Sequence, residues 1–470
     1  MIKRRVAEPL SPQELASEVA NSNFEDERLN ARLRSLVRGL STDPKASLPR
    51  AFDSAGLEAA YRFFSNQLVT PELILKSHIE QTRGRCEEEG DFLIVHDSTM
   101  FQYRYDGERE GLGRVKRSSP GGKQAFFAHL SLALAADGTR RPLGVSGFKT
   151  WIRGPEASGV EYQRWEEQIR SSSTQLKALK HAIHVMDREA DDYQMFDALI
   201  RDGHRFVARC QYDRRLETES GNEKLRSLFE RVLATADREI PLTRRKPKKD
   251  PVAEKINSSR STHIAKLSVA AAAVALKRPN KKRTHDTNAS PTVTLNIVRI
   301  WEPNPPEGEA GVEWYLYTTE PISTPEQVLA VVDHYRARWV IEEYFKAIKS
   351  GCDFEKRQLQ DYESLVNLLA TFAPVAYQLL LIRSEARRTP DAPAVGLLSP
   401  DHIDVLRARG RLKLSANPTA REIYLAVAAL GGHIKYNGDP GWSTLGYGFE
   451  KLETLTEGWR AAKLQLRSDQ

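Results

Sequence analysis

Residues 324–351 read TPEQVLAVVDHYRARWVIEEYFKAIKSG, and this stretch combines a helix-start signal with charged side chains at helical spacing. Thr324 is followed by a proline and, three residues on, by Gln327, which is the arrangement of a helix-capping box. The pattern therefore predicts one long helix that continues to Gly351.

Four side chains along this predicted helix fall on one side of it: Tyr335, Arg338, Glu342 and Lys349. At about 100° per residue they occupy a sector roughly 60° wide. An exposed helix more often alternates its charges at spacings of four, without a tyrosine. A carboxylate between two cations suits a metal ion that must meet a phosphodiester, so this face is a candidate catalytic surface.

Two further acids each come after an apolar run that predicts a buried strand. Asp97 follows such a run, and Asp187 follows a second one 90 residues later. Mg²⁺ takes one or two carboxylates together with water and phosphate oxygens, and a third acid can complete a two-metal site. The alternative is that an Asp at a strand end is a turn residue or a helix cap.

The composition is that of a large and mildly basic globular chain. The 470 residues carry 70 Lys and Arg against 63 Asp and Glu, a formal charge of +7, and 40% of them are hydrophobic. This composition excludes a wholly disordered chain. Cys86, Cys210 and Cys352 stand alone, without disulfide or zinc spacing. No signal-peptide pattern is expected at the N-terminus, and a reducing, cytoplasmic location fits.

The longest apolar stretch, residues 365–382, contains Asn367, Pro374 and Gln378. These residues favour a buried helix over a membrane span.

The first 80 residues predict short helices. One of them has an apolar stripe flanked by arginines, among them Arg32, which indicate either a solvated face or a phosphate-binding face.

The spacing Tyr335-x2-Arg338-x3-Glu342-x6-Lys349 resembles the Y-R-E-K signature of bacterial IS4-family cut-and-paste transposases. Three other segments are similar to motifs of that family: His96-Asp97-Ser98-Thr99, Asp187-Arg188-Glu189-Ala190-Asp191, and residues 60–66, AYRFFSN.

The resemblance implies an α/β protein with a ribonuclease-H-like catalytic core, a mostly β insertion, and helical N-terminal and C-terminal domains. The expected boundaries are a DNA-end-binding domain at 1–80, the first part of the core at 81–211, the insertion at 212–322, the last part of the core at 323–362, and a dimerisation domain at 363–470. Asp97, Asp187 and Glu342 are then the catalytic acids and the ligands of Mg²⁺, for which Mn²⁺ substitutes. Glu343 adjoins Glu342, and only the spacing selects between them.

The resemblance also implies the DNA contacts. Tyr335, Arg338 and Lys349 are expected to bind phosphates of the element ends. Two residues are expected at a displaced nucleotide. Arg209, at the end of the first part of the core, is expected near it, and Trp314, in the insertion, is expected to stack on a flipped base. The alternative for Trp314, which lies in a predicted strand, is that its side chain is buried in the core. Arg32 and Arg62 are further DNA-contact candidates.

The expected function is a DNA transposase that acts through hydrolysis, hairpin formation and strand transfer, as a homodimer on terminal inverted repeats and target DNA, at the bacterial nucleoid and without a membrane. Two alternatives remain open: a metal-dependent nuclease of the same fold without strand transfer, and a non-catalytic DNA-binding regulator.

Overall fold

The computed structural model describes residues 15–103, 107–115, 123–152, 161–218, 221–242, 244, 260–279, 289–394, 398–409, 412–434 and 438–468. A basic part of the predicted insertion, residues 245–259, lies outside the described residues. The chain divides into two compact units. The first contains Met1–Glu89, Asp97–Ser158 and Val340–Gln470, and the second contains Gly90–His96 and Gly159–Trp339.

The α-helices of the described residues are α1 (Glu27–Thr42), α2 (Leu48–Ala51), α3 (Ser54–Phe64), α4 (Pro71–Glu87), α5 (Glu161–Leu176), α6 (Tyr193–Arg201), α7 (Leu225–Phe229), α8 (Pro325–Ala337), α9 (Trp339–Lys346), α10 (Tyr362–Arg388), α11 (Pro400–Arg409), α12 (Ala420–Leu430) and α13 (Trp442–Ser468). Single turns of 3₁₀ helix occur at Ala16–Val19, Arg188–Ala190 and Phe354–Lys356, and a π turn at Ala347–Gly351.

The strands of the described residues are β1 (Phe92–Tyr103), β2 (Gly113–Arg114), β3 (Gln124–Ala135), β4 (Pro142–Trp151), β5 (Ala182–Met186), β6 (Arg205–Arg209), β7 (Arg215–Thr218), β8 (Gly221–Lys224), β9 (Ala236–Leu242), β10 (His263–Lys277), β11 (Thr292–Trp301) and β12 (Glu313–Thr318).

The helix predicted from Thr324 begins where the sequence indicates. The Thr324 side chain accepts a hydrogen bond from the backbone N–H of Gln327, and the Gln327 side chain accepts one from the N–H of Thr324. The predicted capping box is therefore confirmed, and it satisfies two N–H groups that the helix itself leaves without partners.

The same helix does not run unbroken to Gly351, so that part of the prediction is wrong. α8 ends at Ala337, where the Arg338 N–H bonds to the carbonyl of Tyr335, three residues back. The last turn is of π type, and the Cys352 N–H bonds to the carbonyl of Ala347, five residues back. Neither spacing keeps 100° per residue, so the single sector calculated from the sequence does not hold along the whole stretch.

The first unit is organised around α10. This is the one helix of the described residues that is long and apolar enough to cross a membrane, and its apolar window is entirely buried inside the structure. Asn367, in its first half, donates to the carbonyls of Phe64 (3.0 Å) and Val69 (3.1 Å). The prediction of a buried helix is therefore confirmed, and the buried polar residue is hydrogen-bonded to the segment between α3 and α4.

The second unit contains a mixed sheet. The first four residues of β1 pair in parallel with β5, and β5 pairs in parallel with β6. From β6 the order continues antiparallel through β12, β11 and β10, with β9 and β7 also pairing to β10. Phe196 packs in its core, with its ring centroid 5.3 Å from that of Phe206 and 5.2 Å from that of Tyr317. The predicted α/β class is confirmed.

A buried ion-paired triad joins the 3₁₀ turn at Ala16–Val19 to α4. Glu18 lies 2.6 Å from His78 Nδ1 and 2.7 Å from Arg85 Nη1, and its side chain is almost fully buried. Burial alone would raise the pKa of Glu18, but the attraction of His78 and Arg85 outweighs it and lowers that pKa to about 2. The carboxylate therefore stabilises the fold in its charged form.

Replacing Glu18 by Gln is expected to lower the free energy of unfolding at pH 7 by about 3 kcal/mol, because the buried His78 and the partly buried Arg85 both lose their carboxylate partner. The pKa of Glu18 lies below its ordinary value of 4.5, so its contribution is present above that pH and is lost as the pH falls towards 2. Urea denaturation at several pH values should therefore show a steeper loss across this window for the wild type than for Glu18→Gln.

The matched control is Glu58→Gln, which removes an exposed carboxylate paired with Arg62. It should change the free energy of unfolding by less than about 0.5 kcal/mol. Parallel pH profiles for the wild type and Glu18→Gln would contradict the role given to the triad.

Candidate catalytic and DNA-binding site

Residues 92–96 of β1 and strand β5, both in the second unit, precede the two candidate aspartates; Asp97 itself belongs to the first unit and Asp187 to the second. In the parallel ladder between β1 and β5, Val95 lies beside Val185. Asp97 and Asp187 each come two residues after that pair. β1 continues well beyond Asp97, so the prediction that the strand stops before this residue is wrong, whereas Asp187 directly follows β5 as predicted.

Each of the two carboxylates is fixed by a nearby backbone N–H. The Oδ1 atom of Asp97 accepts a hydrogen bond from Ser98 N at 2.8 Å, and that of Asp187 accepts one from Glu189 N, also at 2.8 Å. Asp187 thus caps the short 3₁₀ turn behind it, as the alternative interpretation predicted. Both side chains are half-buried, which is compatible with a ligand reaching them.

Tyr335 is buried within the second unit, in a largely cationic setting. Burial raises the pKa of the Tyr335 hydroxyl above its ordinary value. The positive charges of Arg209 and Arg338 oppose that rise, and the Asp187 charge adds to it. Tyr335 is therefore a neutral donor at physiological pH, and the charges of three other predicted site residues act on its hydroxyl.

A small cavity opens next to this group. Its volume is about 190 Å³, and its lining includes Arg209 and Trp314, which the sequence predicted as site residues, and Arg188 of the second acid motif. Gln211, Arg226 and Glu313, which the sequence did not indicate, also line it. The Trp314 ring lies edge-on to that of Tyr335, with centroids 5.8 Å apart. Trp314 is half-buried and faces this cavity, so the core interpretation is wrong for it. An aromatic wall with three guanidinium groups can accept a planar base and its phosphate.

Asp191, the last acid of the segment 187–191, has a different role. It is buried, and its Oδ2 accepts hydrogen bonds from Gln211 N (2.6 Å) and Tyr212 N (2.9 Å). Its Oδ1 accepts a hydrogen bond from Arg214 Nε at 2.9 Å. Asp191 therefore holds the chain segment that carries Gln211 into the cavity wall.

In the first unit, Glu343, the neighbour of Glu342, is tied to the next helix. Glu343 pairs with Arg383 at 3.2 Å and with Arg387 at 3.8 Å, which ties α9 to α10. Its charge is therefore used within the fold. Glu342 is half-buried on the same helix and remains the candidate acid that the spacing selects.

Lys349 lies in the π turn of the first unit and contacts β1. Its Nζ donates to Thr99 Oγ1 and to the carbonyl of Met100, both at 2.8 Å. Burial lowers the pKa of Lys349. The ammonium group carries three hydrogens, and two of them serve these contacts.

The two N-terminal candidates lie on separate helices of the first unit. Arg62 is exposed on α3 and pairs with Glu58, one turn before it. Arg32 is half-buried on α1, next to the buried Leu33.

No group of three or more His, Cys, Asp or Glu side chains among the described residues is arranged to hold a metal ion. The donor chemistry nevertheless fits Mg²⁺, because the candidate ligands are carboxylates and this ion completes its shell with water and phosphate oxygens.

Two protein families match this chain, and they identify its class. Residues 13–69 match the family described as transposase DNA-binding, and residues 93–373 match the transposase DDE domain. The second match spans more than half of the chain, so the protein belongs to the DDE-domain transposases and is a DNA-binding, DNA-cleaving enzyme of transposition.

Among solved structures, the chain is similar to the one titled "Cryo-EM structure of piggyBac transposase synaptic complex with hairpin DNA (SNHP)". The identity is 10%, the TM-score is 0.36, and the match covers 82% of this chain and 77% of that one.

Replacing Asp187 and replacing Asp191 are expected to have different effects on the free energy of unfolding. Asp191→Asn should lower the free energy of unfolding by about 3 kcal/mol, because Arg214 loses a buried partner. Asp187→Asn should change it by no more than about 0.5 kcal/mol, since its carboxylate is half-exposed. Urea denaturation of both variants measures the difference, and equal losses would contradict the distinction.

Proposed function

We propose that the protein is a cut-and-paste transposase of the IS4 family, of the Tn5 type, with Asp97, Asp187 and Glu342 as its catalytic acids. The observation that carries the proposal is the group in the second unit in which Tyr335, packed edge-on against Trp314, is acted on by the charges of Asp187, Arg338 and Arg209. It combines one acid motif with two members of the Y-R-E-K signature, although they are far apart in the sequence.

The proposed architecture assigns the strands around β1, β5 and β6 to a ribonuclease-H-like core. The parallel pairing of β1, β5 and β6 supports it. The strand-rich region at 212–322 is proposed as the insertion, with residues 1–80 as the DNA-end-binding domain and 363–470 as the dimerisation domain. The protein is proposed to act as a homodimer on paired element ends.

Asp97, Asp187 and Glu342 would hold Mg²⁺, with Mn²⁺ as a substitute, and the bound ions would stabilise the negative charge that develops at phosphorus. The cationic side chains of the protein would bind DNA and not the metal ions. Arg338 and Lys349 neutralise phosphates of the element end, and Tyr335 donates its hydroxyl hydrogen to a phosphate oxygen. Trp314 stacks on a base that leaves the helix, while Arg209 and Arg188 contact its backbone.

The proposed reaction is a series of in-line displacements at phosphorus. Water forms the first new P–O bond and releases the 3′-hydroxyl of the element end. That hydroxyl then attacks the opposite strand, which expels the flanking DNA and closes a hairpin. A second water opens the hairpin, and the 3′-hydroxyl finally joins target DNA. No covalent link between protein and DNA is required.

Replacing Asp97 or Asp187 by Asn, or Glu342 by Gln, is expected to abolish cleavage of end DNA, with a loss of about 10³-fold or more, because a charged ligand is removed while the shape is kept. Binding of the same DNA should stay within about threefold of the wild type, since the phosphate contacts remain. Gel-shift titration and a cleavage assay with Mg²⁺ on the full chain measure both quantities.

Glu343→Gln is the matched control, because it makes the same change at the neighbouring position, and it should keep its cleavage activity. Cleavage that survives in Glu342→Gln and disappears in Glu343→Gln would refute the assignment. Joining of pre-cleaved ends to target DNA distinguishes a transposase from a nuclease that lacks strand transfer.

Trp314→Ala is expected to slow hairpin formation roughly 10-fold or more, because stacking on an unpaired base is worth about 1–3 kcal/mol. First-strand nicking should change less than about twofold, because no base needs to leave the helix at that step. Trp314→Phe keeps an aromatic face and should restore most of the rate. A Trp314→Ala protein that forms hairpins normally would contradict the stacking role.

A further inference from the structure

Residues 96–100, which we call the Asp97 segment, have side-chain or backbone contacts to three different elements. The segment is the middle of β1 and is more polar than the apolar run before it. Its neighbours supply two buried histidines, His129 and His184, and the half-buried Lys349. These two histidines belong neither to the acid motifs nor to the Y-R-E-K signature.

Within the second unit, His96 is joined to His184 on β5. His96 Nε2 lies 2.8 Å from His184 Nδ1, and both rings are fully buried. His184 Nε2 in turn lies 2.8 Å from the hydroxyl oxygen of Ser173, on α5. The residue before Asp97 is therefore connected through two imidazoles to a helix behind the sheet.

Within the first unit, Ser98 is joined to His129 on β3. The Ser98 hydroxyl oxygen lies 3.0 Å from His129 Nδ1, and His129 is buried. The next two residues, Thr99 and Met100, accept the two hydrogen bonds from Lys349. The residue after Asp97 is thus held as firmly as the residue before it.

The two outer histidines are neutral in the folded protein. Burial lowers the pKa of His129 and of His184 to about 3 in each case. A neutral imidazole has one N–H donor and one acceptor nitrogen, so each of these rings makes directional hydrogen bonds without adding a charge next to the acid. Such contacts hold the backbone near Asp97 in place without changing the electrostatic field at its carboxylate.

Side chains alternate along a strand, so His96 and Ser98 lie on the opposite face from Asp97. Contacts to His96 and Ser98 therefore hold the backbone on either side of Asp97 without occupying the face that its carboxylate uses. Ser98 has an additional effect, because its own N–H donates to Asp97 Oδ1 at 2.8 Å. A shift of Ser98 would move that carboxylate oxygen directly.

We propose that Ser98 and His129 form a positioning pair for Asp97, and that His96 and His184 hold the other end of the same short segment. The inference rests on the proposed function, in which Asp97 is a catalytic acid. The pair does not touch the reacting atoms. It sets where the Asp97 carboxylate lies, and its loss should appear in the chemical step and in the metal requirement, with DNA binding unchanged.

The test is single-turnover cleavage of end DNA by the full-length protein at saturating protein, as a function of Mg²⁺ concentration. Ser98→Ala should cleave roughly 10- to 100-fold more slowly and need several-fold more Mg²⁺ for its half-maximal rate, because small displacements of a reacting group are costly. Ser98→Thr, which keeps the hydroxyl, should recover most of the rate. His129→Asn tests the partner with a smaller change than an apolar residue makes.

The double variant Ser98→Ala/His129→Asn should be no slower than the slower of its parents, because both changes break one interaction. Tyr344→Phe is the matched control: it removes another buried hydrogen bond of the first unit, from the Tyr344 hydroxyl to the carbonyl of Ala373 (2.8 Å). It should keep the wild-type rate and Mg²⁺ dependence. The dissociation constant for end DNA should stay within about threefold in every variant.

Asp97→Asn is measured in the same assay to separate the two proposals. Wild-type cleavage by Asp97→Asn would overturn the proposed function. An inactive Asp97→Asn together with wild-type rates and Mg²⁺ dependence in Ser98→Ala and His129→Asn would overturn the positioning role alone. Rate losses that multiply in the double variant, or that Tyr344→Phe reproduces, would also overturn it.

Discussion

The parallel hydrogen-bond ladder between the start of β1 and β5 sets the geometry on which the proposed site depends. It fixes Ile94 beside His184 and Val95 beside Val185, all four buried. Because side chains alternate along each strand, a slip of one residue would move Asp97 to the other face of the sheet. The register therefore selects which face the acids use.

The sequence was most informative where the relevant forces are local. The capping box at Thr324 was predicted because two hydrogen bonds and a proline lie within four residues. The buried α10 was predicted because its apolar run is long and carries three residues that suit a core helix better than a membrane span. In both cases the deciding contacts are encoded within a single segment.

The sequence was least informative where distant residues decide the structure. β1 continues past Asp97 because Phe101 and Tyr103 are buried further along, beyond a polar interval that hid the strand. The division of the predicted long helix at Arg338 and its final π turn had no signal in the apolar pattern. Arg226 reaches the cavity wall from a region without a motif, and only the folded chain brings it there.

The signature residues that looked alike in the sequence differ in their surroundings. Tyr335 is buried among cations, whereas Lys349 spends two of its donors on β1. Lys349 is therefore both a candidate phosphate ligand and a support for the backbone next to Asp97. Its removal would combine the loss of a charge with the movement of an acid, so a large effect of a Lys349 variant on cleavage would not by itself identify a DNA contact.

The Ser98–His129 pair offers a cleaner separation of these effects. It is uncharged, because burial keeps His129 neutral, and so its loss does not alter the field felt by a phosphate. A neutral hydrogen bond contributes little to affinity for a polyanion, whose binding depends on cations. Any effect of this pair on cleavage must therefore act through the position of the backbone that carries Asp97. The same reasoning explains why the residues flanking an acid can matter to catalysis while lying on the opposite face of the sheet.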